Sequence, residues 1–242
     1  MTVSPYKNSE NSKKEQIASM FNQIASRYDF LNHFLSLGID KRWRCKAIKL
    51  LKKYSPSYVL DVATGTGDMA IALHRQLGSK VTGIDISSEM LKVGQQKIEK
   101  KNLGLINLIQ ADSESLPFDD HSFDAVTVAF GVRNFENLSK GLAEMARVLK
   151  PSGKMVILEF SKPSSFPFKQ IYGLYFKYLL PFFGGIISKH KEAYDYLPKS
   201  VEAFPEKEQF LKELVNVGLE DVKQYRLTFG IATIYFSSKP VQ

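Results

Sequence analysis

The stretch VLDVATGTGDMA, residues 59–70, runs from a short apolar segment through a glycine-rich turn into an amphipathic segment. Gly65 and Gly67 would let the backbone approach a ligand closely, because glycine has no side chain and tolerates a positive φ. A helix that begins after such a turn offers free N–H groups to the same ligand. Several nucleotide-like ligands fit this pattern, since residues 65–70 also match the dinucleotide fingerprint with Ala70 as its third small residue.

Three aspartates narrow the choice of ligand. Asp61 lies within the first apolar segment, Asp85 ends the next one, VTGID, and Asp112 follows the third, LINLIQ. A carboxylate at Asp61 would repel a diphosphate, but it could accept a hydrogen bond or attract a cation such as a sulfonium amino acid. Asp85 is placed to accept both hydroxyls of a ribose, and Asp112 lies near the expected position of an adenine amine. The alternative is that the three residues only form turns, as aspartate often does at strand ends.

Short apolar segments alternate with amphipathic ones from Val59 to Phe160. The apolar segments are YVLDVA, KVTGID, LINLIQAD, FDAVTVAFG and KMVILEF, and the helical stretches between them are GDMAIALHRQLG, SEMLKVGQQKIEKK and LSKGLAEMARVLKP. This alternation predicts a parallel sheet with helices on both faces, whose ligand lies beyond the carboxyl ends of the strands. An aromatic-rich helical insertion, one more helix and two strands joined near residues 228–230 complete the pattern.

The chain reads as one main domain with a helical extension. The first dozen residues read as a disordered tail, and two helices follow, with a break at Gly38 and with Asp40 as the N-cap of the second. We therefore expect a tail and helical lid over residues 1–54 and the ligand-binding domain over residues 55–242. Within this domain, residues 166–203 form the insertion, which we expect to cover the acceptor site as a buried cap or as a membrane-facing surface.

Composition excludes some classes of protein and leaves others open. The chain has 242 residues, of which 44% are hydrophobic and 24% charged, as in an ordinary globular protein. A single cysteine, Cys45, excludes an internal disulfide and a multi-cysteine zinc cluster, so we expect a reducing, cytoplasmic location and no metal. The N-terminal stretch lacks the apolar core of a signal peptide. A net charge of +8 favours an anionic partner, either nucleic acid or a membrane face, although scattered lysines equally suit a plain soluble surface.

Six stretches resemble the quinone-biosynthesis C-methyltransferases, a family of the class I S-adenosylmethionine-dependent methyltransferases. They are FNQIASRYDFLNHFLSLGIDKRWR, VLDVATGTGDMA, DISSEML, ESLPFDDHSFDAVTVAFGVRNF, RVLKPSGKMVILEFSKP and YDYLPKSVEAFP. Ala63 departs from the glycine that the general class usually has, but the narrower family tolerates it. The resemblance implies a Rossmann-like α/β fold with a seven-stranded, mostly parallel sheet, one antiparallel strand, helices on both faces and an N-terminal helical lid.

The resemblance also implies the cofactor and its contacts. S-adenosylmethionine would be the methyl donor, and the acceptor would be a polyprenyl quinol, in the first place demethylmenaquinol in menaquinone biosynthesis. The alternative acceptor is the ubiquinol precursor 2-methoxy-6-polyprenyl-1,4-benzoquinol. The residues expected at the cofactor are Tyr28, Asp61, Thr64, Gly65, Thr66, Gly67, Asp85, Ile86, Asp112, Ser113 and Ala129.

On the acceptor side, the resemblance points to two places in the chain. Arg133 and Asn134 follow the fourth predicted strand, where Arg133 could stabilise a developing phenolate. His190 and Tyr194 lie on the insertion and could cover the ring, with His190 as a candidate base. The structural alternatives are that Arg133 joins a loop to a helix, that His190 is not catalytic, and that the aromatic residues around Tyr28 pack helix against helix.

Three other functions share part of these features. A nicotinamide-dependent oxidoreductase has a similar glycine loop, but Asp61 and the terminal strand pair disfavour it. An RNA methyltransferase would use the positive charge, yet the chain shows no added module and no cluster of arginine and aromatic residues. A non-catalytic scaffold would be expected to lose the cofactor acids. We therefore expect no nucleic-acid partner, peripheral contact with the inner face of the membrane, and a homodimer as one option.

Overall fold

The computed structural model describes residues 3–6, 9–175 and 191–241, leaving aside the side chains of residues 31, 191, 192 and 194. Seven strands form one sheet in the order β3-β2-β1-β4-β5-β7-β6. Only β7 runs against the other strands of this sheet, which confirms the predicted topology. The strands are β1 (Tyr58–Val62), β2 (Lys80–Asp85), β3 (Ile106–Gln110), β4 (Phe123–Ala129), β5 (Leu149–Phe160), β6 (Glu220–Leu227) and β7 (Ala232–Ser238).

Eight α-helices belong to the described part of the chain. They are α1 (Lys13–Leu35), α2 (Ile39–Lys52), α3 (Asp68–Leu77), α4 (Ser88–Lys100), α5 (Leu138–Val148), α6 (Phe168–Leu174), α7 (Lys191–Ala203) and α8 (Glu208–Asn216). Within the described ranges, short 3₁₀ helices cover Val132–Asn134 and Thr228–Gly230, the second at the predicted junction of the last two strands. Among the described residues, none of the helices has both the length and the apolar character that crossing a bilayer requires.

Alternate residues of the central strands supply two separate cores. Leu60 of β1 packs on one face of the sheet with residues of α5 and α8, whereas its neighbour Val59 packs on the other face with residues of α2 and α3. Side chains alternate between the faces of a strand, so a strand with helices on both sides is apolar along its whole length. Full burial of one such side chain contributes about 1.5–3 kcal/mol. The prediction of helices on both faces is confirmed.

The strand order reverses next to β1. The chain passes from β1 to β2 and β3 on one side and then crosses to β4 on the other side of β1. Asp61 of β1 is therefore in register with Gly83 of β2 and with Thr127 of β4. The loops after these strands meet at one edge of the sheet, where a ligand of such a sheet binds.

Helix α1 lies over this edge rather than within the helical layers of the sheet. It begins with a capping box between Ser12 and Glu15. Its residue Met20 belongs to a third apolar cluster that includes Met90 of α4 and Tyr196 of α7. Contrary to the expected disordered tail, Tyr6 packs against this cluster and donates its backbone N–H to Gln16 at 3.0 Å.

The predicted N-cap of α2 is wrong. The cap residue is Gly38, whose φ of +72° lies in the left-handed region that glycine tolerates best. Asp40 lies instead in the first turn, where its carboxylate accepts hydrogen bonds from Ser36 Oγ at 2.7 Å and from Arg44. The capping preference of aspartate is thus overridden by a guanidinium one turn further along the helix. Trp43 anchors α2 by donating from Nε1 to Thr228 Oγ1 at 2.8 Å.

Candidate active site

Three cavities meet at the edge of the sheet, and Tyr28 of α1 lines all of them. We call the two smaller ones the β2 pocket and the β1 pocket, after the strands whose last residues line them, and the third the large cavity. The β2 pocket is lined by Gly65, Asp85, Ile86, Asp112, Ser113 and Ala129, among others. The β1 pocket is lined by Asp29, Arg44, Asp61, Thr64, Gly65, Thr66 and Ala129, among others. The large cavity lies on the far side of Tyr28 and is lined mainly by aromatic and aliphatic side chains. Nearly all the residues expected at a cofactor therefore surround two adjoining pockets.

Asp85 is the last residue of β2 and is 9% exposed. Its carboxylate accepts the backbone N–H of Gly65 and that of Ser87, both at 2.8 Å. Burial raises the pKa of Asp85, and the two N–H groups oppose that rise. Each carboxylate oxygen has two lone pairs, so one hydrogen bond per oxygen leaves capacity for a pair of hydroxyls. This arrangement fits the expected contact with a ribose.

We expect Asp85→Ala to weaken binding of S-adenosylhomocysteine at least about tenfold, because one charge-assisted hydrogen bond contributes about 1.5–3 kcal/mol. Isothermal titration calorimetry measures the affinity, and circular dichroism checks the fold. Asp119→Ala, at an exposed position that lines neither pocket, is the matched control and should bind as wild type does. Unchanged affinity in Asp85→Ala would remove this residue from the site.

Asp61 lies beneath the glycine-rich turn and is fully buried. It accepts hydrogen bonds from Thr64 Oγ1 at 2.6 Å and from Thr127 Oγ1 at 2.7 Å. Burial raises the pKa of Asp61 to about 6, although both hydroxyls oppose the rise. A cation at the β1 pocket would favour the ionised form, so the acid suits an ammonium or sulfonium group better than a phosphate.

Polar contacts from α1 hold the lid helix against both pockets. Lys14 forms an ion pair with Asp112 at the β2 pocket. At the β1 pocket, Asp29 accepts a hydrogen bond from Thr66 Oγ1 and lies 2.7 Å from Lys97 Nζ. Each of these pairs joins the lid to an element of the sheet domain, so α1 is fixed across the opening of the pockets.

The two glycines of the turn differ in their surroundings. Gly65 has a φ of +57° and lines both small pockets, and a Cβ added there would meet no atom within 4 Å. Its missing side chain therefore leaves open the space that a ligand would fill. Gly67, with a φ of +78°, is the N-cap of α3, and a Cβ there would lie 3.9 Å from the Cα of Gly94. Its geometry serves the start of the helix, and its expected contact with a ligand stays a prediction.

The large cavity has a volume of about 580 Å³, within the usual range for small-molecule sites. Phe21, Tyr28 and Phe130 line both this cavity and the β2 pocket. Phe130 and Phe160 pack at a centroid distance of 4.5 Å in its wall. A flat apolar ring could therefore lie next to whatever the small pockets hold, bordered by the three aromatic side chains that line both cavities.

Arg133 lies in the 3₁₀ helix after β4 and lines the large cavity. Its Nη1 is 2.8 Å from Glu159 Oε1 and its Nε is 3.3 Å from Ser200 Oγ, while the guanidinium lies 5.4 Å from the centroid of the Phe160 ring. Burial raises the pKa of Glu159, and Arg133 opposes that rise. The expected structural contact of Arg133 is thus present, and its side chain also faces the cavity. Its catalytic role stays a prediction.

Of the other residues expected on the acceptor side, the structure describes Asn134 in full. Asn134 is 9% exposed, lines the β2 pocket and accepts a hydrogen bond from Tyr196 Oη at 3.2 Å. Burial raises the pKa of Tyr196 to about 12, so this phenol remains a donor. His190 and the side chain of Tyr194 lie outside the described residues.

Sequence reasoning missed several charged residues of the site. Asp29 and Arg44 line the β1 pocket, and Glu159 holds Arg133 at the large cavity. Glu159 and Asp29 have distant partners, whereas Arg44 pairs with Asp40 of the same helix. All three stand within stretches that carried the family resemblance, Glu159 in RVLKPSGKMVILEFSKP and the other two in FNQIASRYDFLNHFLSLGIDKRWR. A single glutamate in the otherwise apolar run MVILEF was a readable signal, because a buried acid requires a partner.

Comparison with known proteins places this geometry among methyltransferases. The sequence matches the ubiE/COQ5 methyltransferase family over residues 9–239. It is 48% identical over 239 residues to the demethylmenaquinone methyltransferase of Bacteroides fragilis, covering 98% of this chain and 97% of that protein. It is 49% identical over 230 residues to the ubiquinone/menaquinone biosynthesis C-methyltransferase UbiE of Geotalea daltonii, covering 94% of this chain and 97% of that protein.

Solved structures share the fold at low sequence identity. An S-adenosylmethionine-dependent methyltransferase from Thermotoga maritima superposes with a TM-score of 0.66 at 16% identity, covering 92% of this chain and 99% of that chain. The [4+2]-cyclase SpnF gives a TM-score of 0.69, also at 16% identity, covering 95% of this chain and 97% of that chain. The class I methyltransferase fold that the sequence predicted is therefore confirmed.

Proposed function

Because the chain belongs to the ubiE/COQ5 methyltransferase family, we propose that it transfers a methyl group from S-adenosylmethionine to a ring carbon of demethylmenaquinol. The family confirms the predicted enzyme class and the predicted cofactor. The acceptor rests on the names of two relatives, 47% and 48% identical to this chain, which are demethylmenaquinone methyltransferases. The ubiquinol precursor is the second candidate, because other relatives are named for both quinones.

One observation supports an apolar, ring-shaped acceptor above all others. The large cavity adjoins the β2 pocket through Phe21, Tyr28 and Phe130, and its wall is mainly aromatic and aliphatic. Its volume of about 580 Å³ is sufficient for a fused quinol ring and the first part of an apolar tail. An acceptor such as RNA would place its charged backbone against a wall that is mainly apolar, which is costly.

The residues of the small pockets fit S-adenosylmethionine. Asp85 faces the β2 pocket with free lone pairs for ribose hydroxyls, and Gly65 leaves space for the ligand against its backbone. Asp61 offers a buried carboxylate near the β1 pocket, where a positive group would be held. When bound, the cofactor supplies an electrophilic methyl group on sulfur. Tyr28 and Phe130 would orient the ring beside that group and exclude water from it.

The acceptor must be the reduced quinol, because an oxidised quinone ring is too electron-poor to attack through carbon. Ionisation of one hydroxyl raises the electron density at the neighbouring unsubstituted carbon. Attack by this carbon on the methyl group would leave S-adenosylhomocysteine, and the proton of the ring carbon would pass to a base or to water as the aromatic ring is restored. Arg133 would favour the phenolate, since a guanidinium stays charged at any working pH. That His190 acts as the base remains a prediction.

An assay with labelled S-adenosylmethionine tests this function. Purified protein is incubated with demethylmenaquinol, with the benzoquinol precursor or with unmodified transfer RNA, under a strong reductant. We expect transfer to demethylmenaquinol, and no transfer to RNA. Methyl transfer to the benzoquinol alone would make the ubiquinol precursor the acceptor instead. If calorimetry shows that the protein binds NADH but does not bind S-adenosylmethionine, the oxidoreductase function is supported instead.

We further propose that the mouth of the large cavity lies on an anionic membrane face, at the cytoplasmic side. Three strongly exposed apolar residues line or adjoin the large cavity: Leu37 and Ile171 line it, and Phe229 stacks on its wall residue Phe168 with the ring centroids 3.6 Å apart. Exposed basic residues flank them at Lys41, Arg42 and Lys169. Apolar contact combined with basic charge is the usual basis of peripheral membrane binding, and a polyprenyl tail could enter from the lipid. The homodimer stays a prediction.

We expect Leu37→Glu to reduce binding to phosphatidylglycerol vesicles about tenfold, since burying one leucine contributes about 1.5–3 kcal/mol. Vesicle sedimentation measures the bound fraction at low ionic strength. Val215→Glu replaces another exposed apolar residue, on α8, and should leave the bound fraction unchanged. Equal losses in the two variants would mean that only net charge matters, and no loss in either would refute this surface as the docking site.

A further inference from the structure

Arg44 of α2 is a buried cation with an unused donor. Its side chain is 12% exposed, and its Nη1 donates to Asp40. Its Nε is fully buried and has no hydrogen-bond partner in the structure. A buried guanidinium N–H without an acceptor is costly. The incompletely compensated charge of Arg44 is therefore either a stored penalty or a charge that an anionic ligand beside the guanidinium would compensate.

The position of Arg44 favours the second explanation. It lines the β1 pocket and also the large cavity, and its guanidinium carbon lies 5.5 Å from the centroid of the Phe130 ring. The helix that carries it is fixed, because the neighbouring Trp43 is 4% exposed and hydrogen-bonds to Thr228. Arg44 thus presents its charge to the pocket from α2, which Trp43 anchors to the sheet domain, rather than from α1.

The charges around the β1 pocket show what kind of group is missing. Among the described residues that line it, Arg44 is the one basic side chain, beside Asp29, Asp61 and Asp68. Lys97 pairs with Asp29 at 2.7 Å and with Asp68 at 2.5 Å, so these two acids already have their cation. Two charged side chains at this pocket can therefore still pair with a ligand. They are the buried acid Asp61 and the guanidinium of Arg44, which has only one of its donors bonded to Asp40.

A ligand end that carries one positive and one negative group matches this pair. The methionine end of S-adenosylmethionine has an α-ammonium and an α-carboxylate on the same carbon. We propose that Arg44 binds the α-carboxylate of the cofactor with its guanidinium, and so positions the sulfonium methyl group toward the large cavity. This inference rests on the proposed use of S-adenosylmethionine, and it makes Arg44 a cofactor-positioning residue at the junction of the two cavities.

The large cavity offers a less suitable partner for the same donor. Its wall is mainly apolar, and a neutral quinol hydroxyl would gain less from a charged donor than a carboxylate does. Arg133, paired with Glu159, already supplies a guanidinium to that cavity. The carboxylate of the cofactor is therefore the acceptor that best completes the hydrogen bonding of Arg44.

A binding cycle tests the proposal without measuring turnover. Calorimetry compares S-adenosylmethionine with its decarboxylated form, which differs only by the carboxylate, in wild type and in Arg44→Gln. In wild type, loss of the carboxylate should weaken binding about 10- to 100-fold. In Arg44→Gln, S-adenosylmethionine should bind as weakly as the decarboxylated form does, so the difference between the two ligands should nearly vanish. Lys46→Ala, at an exposed position on the same helix, should retain the wild-type difference.

A third ligand separates this role from a structural one. 5′-Methylthioadenosine lacks the whole amino-acid end and reports only on the β2 pocket, so its affinity should be equal in wild type and Arg44→Gln. If Arg44→Gln weakens all three ligands alike, or if it keeps the full difference between the first two, the proposal is overturned. If wild type binds none of the three, the proposed cofactor fails instead, which is a distinguishable result.

Discussion

Gly65→Val is expected to abolish binding of S-adenosylhomocysteine while the sheet still forms. The added side chain would stand in the open space shared by the β1 and β2 pockets, since no atom lies within 4 Å of a Cβ at this position. The φ of +57° disfavours a β-branched residue as well. We expect affinity to fall by more than about 100-fold, equivalent to about 2.7 kcal/mol, as measured by calorimetry.

Gly78→Val distinguishes obstruction of the pocket from backbone strain. Gly78 has a φ of +73° at the end of α3, also has open space around it, and lines neither small pocket. Its valine variant should therefore lose stability to a similar degree, measured by thermal unfolding, and keep its affinity. If Gly65→Val binds S-adenosylhomocysteine as tightly as Gly78→Val does, the turn at residue 65 does not contact the ligand.

Replacing Arg133 is expected to produce the largest loss of turnover. Arg133→Ala alone would leave the carboxylate of Glu159, which is fully buried, without its cation. Breaking a buried pair in this way costs about 3–5 kcal/mol of stability. The informative variant therefore combines Arg133→Ala with Glu159→Gln, which removes both charges together. We expect it to fold, to bind S-adenosylhomocysteine as wild type does, and to lower kcat about 100-fold, comparable to the loss of one preorganised donor.

Glu159→Gln alone is the matched control for this experiment. It keeps the guanidinium at the cavity and should lose much less turnover than the double variant, because only the anchor of Arg133 is changed. If the double variant is as fast as Glu159→Gln, Arg133 has a structural role alone. If the double variant loses affinity for the cofactor as well as kcat, the Arg133–Glu159 pair shapes the small pockets rather than the acceptor site.

The sheet and its acids could be predicted because the signals are local. The strands β1 and β2 are short apolar runs, and Asp61 and Asp85 stand at or near the ends of these strands. The carboxyl ends of parallel strands share one edge, so the positions of these acids follow from the strand pattern. The same reasoning placed Gly65 at the ligand, where it lines two pockets.

The pairing of charged side chains could not be predicted in the same way. Asp29 and Lys97 are 68 positions apart, and Arg133 and Glu159 are 26 apart. Which charge meets which depends on how helices pack on the sheet, and helical periodicity does not contain that information. The prediction that Asp40 is the N-cap of α2 was wrong for the same reason. The carboxylate of Asp40 accepts a hydrogen bond from the side chain of Arg44 in the folded helix rather than from a free backbone N–H.

The most direct test of the central claim is to locate the transferred methyl group. Protein is incubated anaerobically with trideuteromethyl-labelled S-adenosylmethionine and demethylmenaquinol, and the product is analysed by mass spectrometry and NMR. We predict menaquinol that carries the label on the ring carbon, formed only when the acceptor is reduced. A label on a phenolic oxygen, or equal transfer to the oxidised quinone, would contradict methylation at carbon of a quinol.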